Sequence, residues 1–322
     1  MFRFIASLFL LFLLLTNLFA GSPNNVECIA PANPGGGWDW TCRAVGRALR
    51  DLSLINGSMN VINMPGTSGA TAYAYAVIRR KKDGNLIFSA SPATLTAIAQ
   101  GLYRFTEKEV KWLGAVATDH SIIAVKADAQ WDNLTNLVKS WKKNPEKIIF
   151  GGGSSLMGQD HMKTIILARA AGIDIKKVKY VPYYGGGEAL TQLLGGFINV
   201  FTGDLSEVLG QIEAKKIKVL ALLSEKRLNG KFSYLPIAKD FGYNAIWPIW
   251  RGFYMPPDVS IEDYKFWNDA LKKMCLSDSW NNLLNQYSLD NFCVVGEDFS
   301  KYIESSLITL KELVKELSLN NE

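Results

Sequence analysis

Histidine is almost missing from this chain. His120 and His161 are the only two in 322 residues, and the four cysteines form no CxxC spacing and no Cys–His pair. A zinc site of the usual kind is therefore excluded. No GxSxG elbow is present, so a serine hydrolase would need an unusual nucleophile turn. Residues 153–158 have the outer spacing of a P-loop, but Gln159 and Asp160 stand where the phosphate lysine and metal hydroxyl belong. Neither 35–37 nor 185–187 continues as GxGxxG, because Trp40 and Leu190 occupy the last position. The net charge is only +5, and no basic strip is interleaved with aromatics. Arg43, Arg47 and Arg50 read as one solvated helix face, so no nucleic-acid partner is expected. Past the N-terminus no apolar run is long enough to span a bilayer.

What is present begins with an export signal. Residues 1–22 carry one early cation, Arg3, then an apolar stretch to Leu15, then the small residues Ala20, Gly21 and Ser22. This pattern predicts a cleaved secretory signal without a lipid-attachment cysteine, hence a soluble periplasmic protein. An even cysteine count in an exported chain suggests disulfides. Of three connectivities, Cys28–Cys42 and Cys275–Cys293 are expected, since each pair flanks one strand–helix turn; free buried thiols are the alternative.

Apolar runs of strand length alternate with helical spacings from residue 26 to residue 223, the signature of parallel α/β sheets. Two apolar stretches, 112–125 and 246–255, are too long for one strand in one sheet and are expected to cross between two. The tail adds two long helical patterns, 261–286 and 298–317, around a short strand. The expected organisation is one α/β domain from residues 23–118 and 251–322, and a second from residues 119–250.

Each glycine triplet, at 35–37, 151–153 and 185–187, sits after a strand and before a helix. A helix start leaves backbone N–H groups unpaired and adds positive partial charge. Glycines let a ligand approach that backbone closely. One such loop is ordinarily a tight turn; three at equivalent places point to a shared anion site, with no cationic side chain needed.

The motifs "APANPGGGWDWTCR", "NMPGTSGATA", "GGGSSLMGQDH", "VPYYGGGEALTQLLGG", "SEVLGQIEAKKIKVLAL" and "WRGFYMP" follow one another along the chain. As a set they resemble the Bug-type substrate-binding proteins of tripartite tricarboxylate transporters, over nearly all of the mature chain. Cys28 and Cys42 resemble the tricarboxylate-type branch. Residues 235–240 depart from the family, which usually shows Pro-Thr and a later Glu there. The resemblance implies a two-domain binding protein of the Venus-flytrap kind, with crossing strands, closing over a small organic anion. It also implies delivery to membrane permease subunits. A monomer is expected, without cofactor or metal.

On these grounds Asn33, Gly35, Gly36 and Gly37 are expected to present amides to one carboxylate, with Trp38 as a wall. Asp39 reads as a cap on a helix starting near Trp40, or as an indirect ligand contact. Ser68, Ser91 and Thr94 are caps or ligand donors in the same half. Ser154, Ser155, Tyr183, Gly186 and Gly187 are expected at a second carboxylate. Asp204 is a turn or cap residue, or an acceptor for a ligand hydroxyl or bridging water, and His161 a surface or core histidine or a contact. A carboxylate-binding protein is the reading these residues favour. The alternatives are an exported hydrolase or transferase using Ser154 or Ser155, and a sensor component that presents its ligand to a receptor.

Overall fold

The computed structural model describes residues 25–319; the export signal expected over residues 1–22 lies outside them. In chain order the strands are β1 (Glu27–Ala30), β2 (Asn60–Asn63), β3 (Leu86–Ala90), β4 (Lys111–Lys126), β5 (Ile149–Gly152), β6 (Lys179–Pro182), β7 (Val200–Asp204), β8 (Ile217–Leu222), β9 (Pro248–Met255) and β10 (Asp290–Val295). The helices are α1 (Gly37–Asp51), α2 (Ala70–Ile78), α3 (Pro92–Ala99), α4 (Leu134–Lys143), α5 (Gln159–Ala170), α6 (Gly186–Gly195), α7 (Leu209–Glu213), α8 (Ile261–Cys275), α9 (Asp278–Gln286) and α10 (Glu297–Leu319).

Strand β4 organises everything else. Its 16 residues are buried almost without interruption, as a strand covered on both faces must be. The first part pairs antiparallel with β9, from Lys111 opposite Met255 to His120 opposite Pro248, and with β10 on its other edge. From Ser121 onward it pairs with β7 and β8 instead. One sheet therefore runs β2-β1-β3-β9-β4-β10 and the other β8-β4-β7-β5-β6. Within them β1 pairs parallel with β2 on one edge and β3 on the other, and β5 likewise with β6 and β7.

Local sequence explains the helices that clothe these sheets. In α1, Cys42, Val45 and Leu49 point into the core while Arg43, Arg47 and Arg50 face solvent, the spacing of one apolar stripe. Trp267 of α8 and Trp280 of α9 join that core. Tyr73, Phe88, Tyr254 and Phe299 fill the opposite face of the first sheet, and Trp141 with Phe150 anchors the second. The helical pattern over 261–286 is two helices, because the Ser277 hydroxyl accepts from Trp280 N and starts α9 anew. Among the described residues no helix is long and apolar enough to cross a membrane.

Cys28 and Cys42 form a disulfide that ties β1 to α1. The expected partner bond is not made: Cys275, buried at the end of α8, and Cys293, exposed on β10, are free thiols. Cys293 falls where the register of β10 against β4 slips, between Asn291 and Val294. The two thiols still influence each other, Cys293 pushing the Cys275 pKa up and Cys275 holding that of Cys293 down.

Candidate ligand-binding site

The carboxyl ends of β1, β3, β5, β6 and β7 face one cavity of about 550 Å³. Open α/β sheets place their ligands in such crevices. All three glycine-rich turns reach it, through Gly36 and Gly37, through Gly153, and through Gly185 and Gly186. The N-termini of α1, α5 and α6 thus approach the same space from both sheets. A hydrogen bond already crosses it. Ser68 Oγ and Ser155 Oγ are 2.8 Å apart across the cavity, and outside its lining Gln100 Nε2 donates to Met157 O at 2.8 Å.

Of the residues expected at a ligand, Gly36, Gly37, Trp38, Ser68, Ser91, Ser154, Ser155, Tyr183, Gly186 and Asp204 line the cavity. Asn33, Gly35, Asp39, Thr94, His161 and Gly187 stand outside its lining, for identifiable reasons. Asn33 is exposed on the loop before the helix. Gly35 N donates to Asp39 Oδ2 at 3.0 Å, so the loop's first amide is already used. Asp39 does not cap a helix starting near Trp40, because α1 begins at Gly37 with Gly36 as its cap. It clamps the loop instead, also accepting from Arg43 Nε at 3.0 Å and Asn63 Nδ2 at 2.9 Å. Burial opposes its charge, but Arg43, Gly35 and Asn63 outweigh it and hold its pKa below the ordinary value. Thr94 closes a capping box with Ser91 at the start of α3. Gly187 lies one residue beyond the lining, inside α6.

His161 is a packed histidine. Its Nδ1 accepts from Met157 N at 2.9 Å and its ring lies 4.7 Å from that of Tyr180. Burial lowers its pKa to about 4. A histidine with a depressed folded pKa stabilises above its unfolded value of about 6.5 and loses that contribution as pH falls. About 3 kcal/mol of stability is expected to disappear between pH 6.5 and 4 on its account. Urea unfolding at pH 7 and pH 4.5 should show a smaller loss for His161→Gln than for the parent chain.

Neither serine is set up as a nucleophile. Ser154 Oγ accepts from Asp160 N at 2.8 Å, at the start of α5, and Ser155 pairs with Ser68. Among the described residues no histidine hydrogen-bonds to either hydroxyl. Nor does any cluster of three or more His, Cys, Asp or Glu side chains there suit a metal ion.

The expectation of neutral donors alone needs correcting, because two cations are buried beside the cavity. Arg251, on β9, lines it and is 2% exposed. Its Nη2 donates to Asp119 Oδ2 at 2.5 Å and to Asp204 Oδ2 at 2.6 Å. Its guanidinium rests against Gly37, where a Cβ would overlap it. Lys163, on α5, is fully buried and bridges Asp160 Oδ1 at 2.7 Å and Asp204 Oδ1 at 2.6 Å. Burial disfavours both charges, yet the flanking aspartates outweigh it and raise both pKa values. Burial alone would raise Asp204 too, but Lys163 and Arg251 bring it below the usual range. Asp204 is therefore the hub of an ion network as well as the cap of the short turn at Leu205–Glu207. Arg251 sits in an otherwise apolar strand, "PIWRGFYM", and that is the one legible sign of it.

The family model described as "Tripartite tricarboxylate transporter family receptor" matches residues 52–319. The chain belongs to this receptor family. A relative among curated proteins is a UPF0065 protein of Bordetella pertussis, 22% identical over 302 residues, covering 91% of this receptor and 90% of that protein. Among solved structures, Rpa4515 of R. palustris with adipate superposes with a TM-score of 0.82 at 20% identity, covering 90% and 96% of the two chains. MatC of Rhodopseudomonas palustris with bound malate gives 0.77 at 14% identity, covering 90% and 98%. At these identities the likeness establishes a shared fold for the receptor.

Proposed function

We propose that this receptor is a periplasmic solute-binding protein that captures a small di- or tricarboxylate and hands it to the permease subunits of a tripartite transporter. Export would be directed by residues 1–22. The lobes are residues 23–118 with 251–322, and residues 119–250, crossed by β4 and hinged at the switch in its pairing near His120. The observation that carries the reading is the convergence of three glycine-rich helix starts, from both sheets, on one cavity. Backbone amides there are donors to ionised acceptors, strong hydrogen bonds in a dry cleft. Gly36, Gly37 and Trp38 with Ser68 and Ser91 serve one end of the ligand; Ser154, Ser155, Tyr183 and Gly186 serve the other. The adipate and malate bound to the two structural relatives support a carboxylate. A role in binding rather than catalysis is supported by serine hydroxyls committed to backbone and lobe contacts.

The mouth of the cavity is apolar, with Leu102, Leu156 and Tyr184 exposed at its rim. That favours a carboxylate with a hydrocarbon body. Calorimetric titration should find dissociation constants near micromolar, about 8 kcal/mol. Affinity should rise from succinate to adipate by roughly fourfold per methylene, from about 0.8 kcal/mol each. Binding of a sugar or a cation, with citrate, malate, succinate and adipate all inert, would refute the reading.

A further inference from the structure

The charges around the cavity do not balance. Lys163 is shared between Asp160 and Asp204, and Arg251 between Asp204 and Asp119. Two cations are thus consumed by three aspartates. Glu207, just past β7, is a fourth acid in the same cluster and lines the cavity. Its Oε2 accepts from Asp204 N at 3.3 Å, and among the described residues no cationic side chain hydrogen-bonds to it. The carboxyl lies against Gly186, the first residue of α6, so closely that a Cβ there would overlap it. A fourth acid in such a place has two ways to exist. It can stay ionised and repel an incoming anion, or keep its proton and become a donor.

We propose that Glu207 sets the affinity and selectivity of the carboxylate site by entering it as a neutral acid whose O–H donates to a ligand carboxylate. The inference rests on the carboxylate reading above and adds to it a residue and a sign. Facing Glu207 are Asp204 from the end of β7, Asp160 and Lys163 from α5, Arg251 from β9, and the N-terminus of α6. Burial, then Asp204 and Asp160, push its pKa up to about 8, with Arg251 and Lys163 pulling the other way. A carboxylic acid and a carboxylate sharing one proton is a stable pairing where two carboxylates are not. An ammonium at that end of a ligand finds no carboxylate charge on Glu207 while the proton is held. The affinity consequence has a definite direction. Binding requires the protonated form, so Kd is flat below about pH 8 and rises tenfold per unit above it.

The test has two arms. Carboxyl-carbon NMR of the unliganded protein, assigned with Glu207→Gln, reads the titration of this side chain directly. Calorimetry with adipate, malate and succinate from pH 6 to 9.5 reads the affinity. The expected results are a Glu207 titration near neutral or above, a tenfold rise in Kd per unit at the alkaline end, and no such rise in Glu207→Gln. Glu207→Ala is expected to weaken binding about tenfold at pH 6.5. A Glu207 titration between pH 4 and 5 overturns the inference, and so does a flat Kd in the parent chain or an alkaline slope that survives in Glu207→Gln. Each of these leaves the carboxylate reading intact when binding at pH 6.5 is normal. If none of the three acids binds at pH 6.5, that reading fails and the inference falls with it.

Discussion

Replacing Arg251 by alanine is expected to lower unfolding stability by about 3–5 kcal/mol, the cost of breaking a buried ion network at one partner. Its side chain is 3% exposed and those of Asp119 and Asp204 are 0% and 5% exposed. Without the guanidinium both carboxylates lose their shared donor, and Lys163 alone cannot serve Asp119, which it does not contact. Repulsion would be concentrated where β4 changes sheets, since Asp119 lies at that switch and also accepts from Ser206 Oγ. Loss should therefore appear as a lower urea midpoint, and ligand affinity should fall with it because Arg251 lines the cavity. Arg251→Lys should recover only part of the deficit, since the lysine stem is one bond shorter and its nitrogen stops short of the point from which Nη2 reaches both carboxylates. A stability change under about 1 kcal/mol for Arg251→Ala would mean the network behaves as a solvated one rather than a buried one.

The second large effect is expected at Gly153. A methyl group there would overlap the Gly186 nitrogen and the Gly185 carbonyl carbon, both backbone atoms. The turn after β5 and the turn before α6 touch main chain to main chain, and no side-chain rotation can relieve the clash. Tyr183 N donates to Gly152 O at 3.0 Å, which holds the two turns at that distance. Gly153→Ala should cost about 1–3 kcal/mol of stability, typical of overpacking, and at least tenfold in affinity, about 1.4 kcal/mol. Gly187→Ala is the internal control, because a Cβ there meets nothing within 4 Å. It should leave stability within about 0.5 kcal/mol of the parent chain. Equal effects at both positions would show that the contact between the two turns is unimportant.

Much of this architecture can be read from the chain alone, for reasons that are local. Residues 112–125 are apolar for longer than one sheet requires, and β4 does serve two. The glycine triplets mark strand-to-helix turns because only a short, side-chain-free loop fits there, and all three reach the cavity. Long-range pairing is what escapes such a reading. Lys163 sits among Met162, Thr164 and Ile165 and looks like an ordinary helix residue; its two aspartate partners come from α5 itself and from a strand 41 positions away. Gly35 and Gly153 are legible as loop glycines, but their amides are spent on Asp39 and Asp160, four and seven residues on. Nothing in one-dimensional spacing says whether a helix-start amide points at a ligand or at its own chain. The same limit applies to Cys275 and Cys293: their spacing suits a bond, and whether the sulfurs meet depends on how β10 and α8 are placed in three dimensions.

The central claim is that helix starts from both sheets grip one organic anion. A crystal structure of the protein grown with adipate tests it most directly. The account predicts one ligand inside the cavity, with one carboxylate within hydrogen-bond reach of the Gly36–Gly37 turn and the other of the turns at Ser154, Ser155 and Gly186. Adipate lying outside the cavity, or held by residues of one sheet alone, would contradict it.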